Sequence, residues 1–346
     1  MPRYLRKIRA VALRERLAKI GVGEPAGGSG RAVPGASLSP DFKRRWLGFL
    51  LPGSFLIFWL LNLAVGFDGR TLGLDARIYY HGSAAWLAGQ DPWSAGAYLG
   101  ERLFSYAGLP PTTILLAPLT VLPEELFVWL WLVLSVVAAV VVVRTLQLPL
   151  AWLTYPPLLY GVVAANPHVV LMALVVAGGT GGGVLATMLK VVAIPPLIGE
   201  RRWRALGRAA FAVVATALLA PQLWASFLQQ AGAVAGAIHA ESGGGASAWG
   251  EPLLFFPAVV ALGLLALVDL RAASWLAVPA LFPTTQYHYA MFALPVNPFL
   301  AAAMAFPWRG VPALVTIGYA IVRLVLEMRR RSPRARRLVR QDQDPG

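Results

Sequence analysis

The chain contains no cysteine. Disulfides, thiolate catalysis and cysteine-ligated metals are therefore excluded. Charge is also scarce. Only 13% of the 346 residues are Asp, Glu, Lys or Arg, against roughly 25% in soluble domains. Between Thr145 and Leu189 there is none at all. A bilayer core takes about 20 apolar residues per helix, so that stretch alone has room for two spans or more. A soluble core does not account for it, because soluble helices keep a polar face on every turn. Soluble-enzyme signatures are missing as well: there is no P-loop, no G-x-S-x-G, no H-E-x-x-H and no metal-binding cluster. The glycines of Gly178–Gly183 read as a membrane cluster, not a nucleotide loop. No metal and no cofactor is expected. Residues 1–46 hold no apolar h-region, so no cleavable signal peptide is expected, and the first span, Leu47 to Val65, would serve as its own signal anchor.

What is present is hydrophobic and basic: 58% of residues are hydrophobic and the formal net charge is +14. The basic residues sit in blocks. One runs from Arg3 to Lys19, one is Lys43–Arg44–Arg45, one lies between Arg201 and Arg208, and one spans Arg329 to Arg340. Blocks beside apolar spans are positive-inside topology and attraction to anionic lipid, so nucleic acid is not an expected partner. The chain divides into a basic cytoplasmic segment with a linker (1–46), a membrane domain (47–326) and a basic cytoplasmic tail (327–346). Residues 4–20 suit either an amphipathic helix on the inner leaflet or a solvated basic tail. Residues 21–40, rich in Gly, Pro and Ser, form the linker.

The expected fold is all-α and polytopic. Apolar segments fall at 47–65, 109–122, 126–143, 148–165, 169–181, 183–199, 209–224, 252–268, 272–286, 289–306 and 311–326. Two cytoplasmic ends demand an even number of crossings, so one segment is split, merged or re-entrant and the expectation is ten to twelve spans. Loops 66–108 and 225–251 then face outward. Within the first, Asp75 is a candidate N-cap, Ala76 to Ala88 suits a helix, and Gly89 suits its C′ position. With Ile78, Tyr79, Trp86 and Leu87 this helix would lie in the interface.

Four segments hold polar groups beside or inside apolar runs. Residues 74–93 bring together Asp75, Arg77, Tyr79, Tyr80, His81, Gln90 and Asp91. An Asp at an apolar boundary can act as a general base, yet Asp75 equally suits a helix cap and Asp91 the start of an Asp-Pro turn. Residues 104–123 carry Tyr106 and prolines that interrupt the helix at membrane entry, or simply kink it. Asn166, His168 and Lys190 lie in the third segment, and intramembrane polar groups are functional candidates by default. Lys190 stands about two turns before the basic loop, and snorkelling to that loop is the reading preferred here. In the fourth, His288 between Tyr287 and Tyr289 suits either a phosphate contact or an interfacial anchor.

The order of these pieces resembles a known family. Asp75 with Tyr79 and Tyr80 is followed by Ala88-Gly-Gln-Asp-Pro-Trp93. Phe104, Tyr106 and the pair Pro110–Pro111 come next, then Leu122–Pro123 before a span with Trp129 and Trp131. Leu189–Lys190, Pro195 and Pro196 lead into Arg201–Ala205. This arrangement is similar to glycosyltransferase family 87, polyprenol-phosphate-sugar-dependent mannosyl- and arabinosyltransferases with the C-type glycosyltransferase fold, over residues 47–210. Ala165, Asn166, Pro167 and His168 stand where members often carry Gly-Gln-x-Asn. The resemblance implies inverting transfer of a sugar, with mannose foremost, from a polyprenyl-phosphate donor to a lipid or glycan acceptor outside the plasma membrane. It implies Asp75 as base. Arg77, Arg102 and His288 are then candidates for the departing phosphate, and Tyr80, Trp93 and Tyr106 for the sugar or prenyl chain. A transporter or lipid flippase would use the same polar residues as a path; it would favour inverted repeats, and none is visible. A non-catalytic scaffold of the cell envelope is the third reading.

Overall fold

The computed structural model describes residues 53–57, 72–95, 97–99, 102–241, 246–283, 287–306 and 308–331. Among them the side chains of 95, 97–99, 102–104, 238, 239, 241, 330 and 331 are left undescribed. The N-terminal segment, most of the first apolar segment and the tail beyond Arg331 lie outside the described residues. Everything below belongs to the unit Arg44–Gly346.

The described residues are helical apart from one small hairpin. Helix α1 is Leu74–Leu87 and α2 is Pro92–Ala95. Strands β1 (Ala97–Leu99) and β2 (Arg102–Phe104) pair antiparallel, with Leu99 opposite Arg102. There follow α3 (Pro110–Leu116), α4 (Glu124–Thr145), α5 (Pro156–Val163), α6 (Pro167–Ala177), α7 (Gly179–Leu189) and α8 (Ile194–Gly199). Then come α9 (Trp203–Leu219), α10 (Pro221–Glu241), α11 (Pro252–Val268), α12 (Leu270–Leu281), α13 (Pro298–Met304) and α14 (Val311–Arg331). Short 3-10 turns connect several of them, including Tyr287–Ala293.

Helix α4 shows why the longest elements form where they do. Pro123 precedes it, Glu124 and Glu125 occupy its first turn, and Arg144 its last. Each charge complements the helix dipole at its own end. Its 22 residues reach ~33 Å, enough to cross a hydrocarbon core. One face packs inward through Phe127, Trp131, Ser135, Ala139 and Val142, while Trp129, Leu130, Val133, Val136 and Val137 remain exposed. An exposed apolar face of that length marks a membrane or protein interaction surface.

The long helices among the described residues number fewer than the expected ten to twelve spans. Among the described residues two helices, Glu124–Thr145 and Val311–Arg329, are long and apolar enough to cross a membrane. Two bent pairs bring the total to four if each counts as one: α5 with α6, at 118°, and α9 with α10, at 103°. Proline is the physical reason. Segments 109–122, 148–165, 183–199 and 289–306 read as continuous apolar runs, but prolines at 110, 111, 156, 157, 195, 196 and 298 start new helices inside or beside them. A proline lacks the N–H that would continue the helix before it and suits the first turn of the next. The segment 225–251 also departs from its reading as a loop, since α10 carries helix through to Glu241.

The core gathers Trp152, Tyr155, Leu158, Leu171, Met172, Trp275, Leu276 and Phe292, all fully buried. Tyr155 donates to the Ala301 carbonyl at 2.6 Å, which ties the middle of the chain to its last third.

Candidate functional site

Three interrupted helices meet at the site. The first interruption is the α5–α6 corner. Asn166 N–H donates to Gly161 O at 2.8 Å and Ala165 N–H to Val162 O at 2.9 Å. This is the paired-bond ending of a helix with a left-handed C′ residue. Here that residue is Ala165, at φ 54°, where glycine is usual. Asn166 then caps α6: its side-chain oxygen accepts from His168 N–H at 2.9 Å, and Pro167 supplies the first helical position.

The second interruption is the start of α1. Gly73 is the residue before the helix, at φ 71°, so Asp75 is not the N-cap that the sequence suggested. Asp75 lies in the first turn, and its side chain makes no capping bond. The N–H groups of Gly73 and Asp75 donate instead to Val163 O at 2.8 Å and Ala164 O at 2.9 Å. Orphan donors of one helix start thus satisfy orphan acceptors of another helix end. That exchange frees the Asp75 carboxylate for other work. The far end of α1 follows expectation, with Gly89 at φ 73° and Gln90 N–H bonded to Ala85 O at 2.8 Å.

The third interruption is Lys190. Helix α7 stops at Leu189, and Lys190 is extended, at φ −159° and ψ 142°. The Thr112 hydroxyl of α3 reaches Met188 O and Leu189 O, each at 2.8 Å, and so occupies the carbonyls that the break exposes. Lys190 does not snorkel to the basic loop. Its Nζ lies 5.8 Å from the centroid of the Tyr79 ring, and its charge acts on Asp75.

These breaks assemble one cluster. Asn166 Nδ2 donates to Asp75 Oδ2. His168 Nδ1 contacts Asn166 Oδ1, and His288 Nε2 lies 3.1 Å from His168 Nδ1. Asn166, His168, His288 and Tyr79 are buried, whereas Asp75 and Lys190 are partly exposed. Tyr289 packs on His168 with centroids 4.3 Å apart, and Tyr160 stacks on His288 at 6.2 Å. Burial pushes the Asp75 carboxyl above its ordinary range, against the opposing pull of Lys190 and the Asn166 bond. Burial likewise pushes the Tyr79 hydroxyl up, with Tyr106, Asp75 and Tyr289 adding to it. Three buried polar atoms here lack a hydrogen-bond partner among the described residues: Tyr79 Oη, His168 Nε2 and His288 Nδ1. Orphans of this kind are rare in folded proteins and call for a water or a ligand.

The remaining sequence candidates fall elsewhere. Arg77 bonds Glu124 at 2.7 Å and Glu125 at 2.8 and 2.9 Å, and those bonds, Glu125 first, raise its already high pKa. His81 stands 3.3 Å from Glu124 in the same group. Tyr80 donates to Leu122 O at 3.0 Å and packs on Phe127. Tyr106 is buried beside Tyr79 at 5.5 Å, with its hydroxyl 2.8 Å from Thr113 Oγ1; burial pushes that hydroxyl up to about 12. Trp93 donates to Gly108 O at 3.0 Å and packs between Tyr106 and Phe227. Gln90 is exposed. Asp91 accepts from Ser226 Oγ at 2.7 Å and from Gln230. Burial alone would raise its carboxyl, but the bonds from Gln230, Ser226, Trp93 and Ser94 win and hold it low. Arg102 lies in β2, its side chain outside the described residues.

Sequence reading missed Thr112 and Tyr160, which help build the cluster, and Ser226 and Gln230, which hold Asp91; Tyr289 entered it only as a neighbour of His288. A Thr or Tyr in an apolar segment gives no period that would mark it. No metal-ligating group of three His, Asp or Glu occurs among the described residues. Compared with family models, characterised proteins and solved structures, the chain matches none.

Proposed function

We propose that the chain is a polytopic membrane glycosyltransferase. It moves a sugar, with mannose foremost, from a polyprenyl-phosphate donor to a lipid or glycan acceptor on the extracytoplasmic side of the plasma membrane. Support for the membrane setting comes from the outward apolar face of α4, the apolar length of α14 and the basic blocks at both ends. Both termini are cytoplasmic in this reading. The observation that carries the chemistry is the partly exposed Asp75 carboxylate, held by Asn166, with the charge of Lys190 acting on it from over the Tyr79 ring.

The reaction balances with these groups. Asp75 takes the proton of an acceptor hydroxyl, the oxygen bonds to the anomeric carbon with inversion, and the bond from that carbon to the phosphate oxygen breaks. The electron pair leaves with the polyprenyl phosphate. Lys190 offsets the charge that develops there. Arg77 has less to offer, because two glutamates already neutralise it. The proposal needs no metal, since a monophosphate leaving group can be stabilised by a fixed cation.

The test is Asp75→Asn in purified protein reconstituted in lipid. Sugar transfer from a polyprenyl-phosphate donor should fall by about 10²–10⁴-fold, the usual worth of a general base, with donor binding retained. Full turnover in this variant removes Asp75 as the base and turns attention to Asp91.

The bent helix pairs at 118° and 103° also suit a transporter or flippase, whose binding sites use broken helices. Lipid flux across vesicles without sugar transfer would favour that reading.

A further inference from the structure

We infer that Asn166 is the positioning residue for Asp75, an amide whose orientation is dictated by its second task as the cap of α6. The inference rests on the proposed role of Asp75 as base and adds the device that keeps it ready. An asparagine amide can present either its oxygen or its nitrogen to a neighbour. Here the oxygen is already committed, since it accepts from His168 N–H at 2.9 Å and contacts His168 Nδ1. Only the nitrogen, a donor, is left for Asp75. The bond therefore goes to Asp75 Oδ2 with a fixed polarity. Among the described residues no side chain donates to Oδ1, the oxygen left for an acceptor hydroxyl.

The backbone makes this arrangement rigid. Asn166 closes the ending of α5 through its own N–H and starts α6 through its side chain. Helix α1 hangs on the same corner by the bonds from Gly73 and Asp75 to Val163 O and Ala164 O. Donor and carboxylate are thus fixed to one short stretch of chain. A bond given to the charged form of a carboxylate favours that form, and it opposes the effect of burial on Asp75. The other charged or titratable groups near Asp75 are Lys190 at the end of α7, Tyr79 on α1, Tyr160 on α5, and His168 and His288 behind Asn166. On the α4 side, Glu124 and Glu125 are engaged by Arg77 and His81.

The cap and the positioning role can be separated by substitution. Asn166→Asp and Asn166→Ser both keep an oxygen that caps α6, and both lose the amide N–H that Asn166 gives to Asp75. The readout is infrared titration of the Asp75 carboxyl in lipid, assigned by its disappearance in Asp75→Asn, alongside the melting temperature and the pH profile of sugar transfer. We expect both variants to fold. The Asp75 titration should move up by roughly a unit or more in Asn166→Asp, where two carboxylates face each other, and by less in Asn166→Ser. The acidic limb of turnover should follow, with kcat reduced more than KM is raised. An unchanged Asp75 titration in both folded variants overturns the inference. If the titration moves while the wild-type protein transfers no sugar, Asn166 still positions Asp75 and it is the proposed function that fails. If both variants unfold, Asn166→Gln with Asp75→Asn decides the matter: stability regained in the double variant supports the Asp75 contact, and stability still lost overturns it.

Discussion

Lys190 Nζ stands 5.8 Å from the Tyr79 ring centroid, and the charge it carries pulls against the burial of Asp75. A lysine two turns from a basic loop would ordinarily reach for that loop. The break in α7 at Leu189, sealed by the Thr112 hydroxyl, turns it into the site instead.

Lys190→Met tests that placement. Burial raises the Asp75 carboxyl and Lys190 lowers it, so removing the cation leaves burial less opposed. A base must be ionised to accept a proton. Turnover therefore rises with pH through the Asp75 titration and reaches its plateau above it. In Lys190→Met that rise should shift to higher pH. Donor affinity should weaken by about 1.5–3 kcal/mol, as expected when a charge-assisted contact is lost. A pH–rate profile and a donor-binding isotherm check both, and an unmoved acidic limb would separate Lys190 from Asp75.

Arg77→Ala should behave differently. Arg77 is bound to Glu124 and Glu125. Partly exposed pairs contribute little to stability. We expect a small drop in melting temperature and no change in donor affinity. A marked loss of donor affinity at full stability would return Arg77 to the phosphate.

Gly82→Ala should loosen α1 from the hairpin region. A Cβ on Gly82 would come within 2.5 Å of the Tyr106 ring, and one on Gly108 within 2.0 Å of its hydroxyl. The two glycines leave room for the buried ring from both sides. Forcing a methyl group into such a contact costs about 1–3 kcal/mol. Combining Gly82→Ala with Tyr106→Leu should cost less than the sum of the two single changes, as contacting residues do not add. Strict additivity in thermal unfolding would count against the contact.

Topology is accessible through the absence of cysteine. Ala240→Cys, at an exposed position of α10, should react with an impermeant thiol reagent added outside intact cells. Arg204→Cys, in the first turn of α9, should react only after the membrane is opened. Labelling of position 240 solely from the cytoplasm would reverse the assignment of sides.

Much of the local design is legible in the residues themselves. Uncharged length, basic blocks, the helix from Leu74 to Leu87, its Gly89 ending and the polarity of α4 all follow from short-range rules, since each depends on neighbours within a turn or two. The extent of the spans does not. An apolar run reads the same whether it forms one helix or two, and only the partners that accept the freed carbonyls, such as Thr112 for Met188 and Leu189, decide where a break is tolerated. The cluster is likewise a product of tertiary structure. Asp75, Asn166, Lys190 and His288 are far apart in the chain, and nothing in their spacing aligns them. They meet because the start of α1 completes its hydrogen bonds on the end of α5, and because a carboxylate partly withdrawn from water is held where a donor and a cationic charge act on it. Composition alone limits this chain to an apolar, helical, cysteine-free protein. Which of its polar residues face one another is decided by the satisfaction of backbone groups at three helix ends, a long-range condition that no local pattern carries.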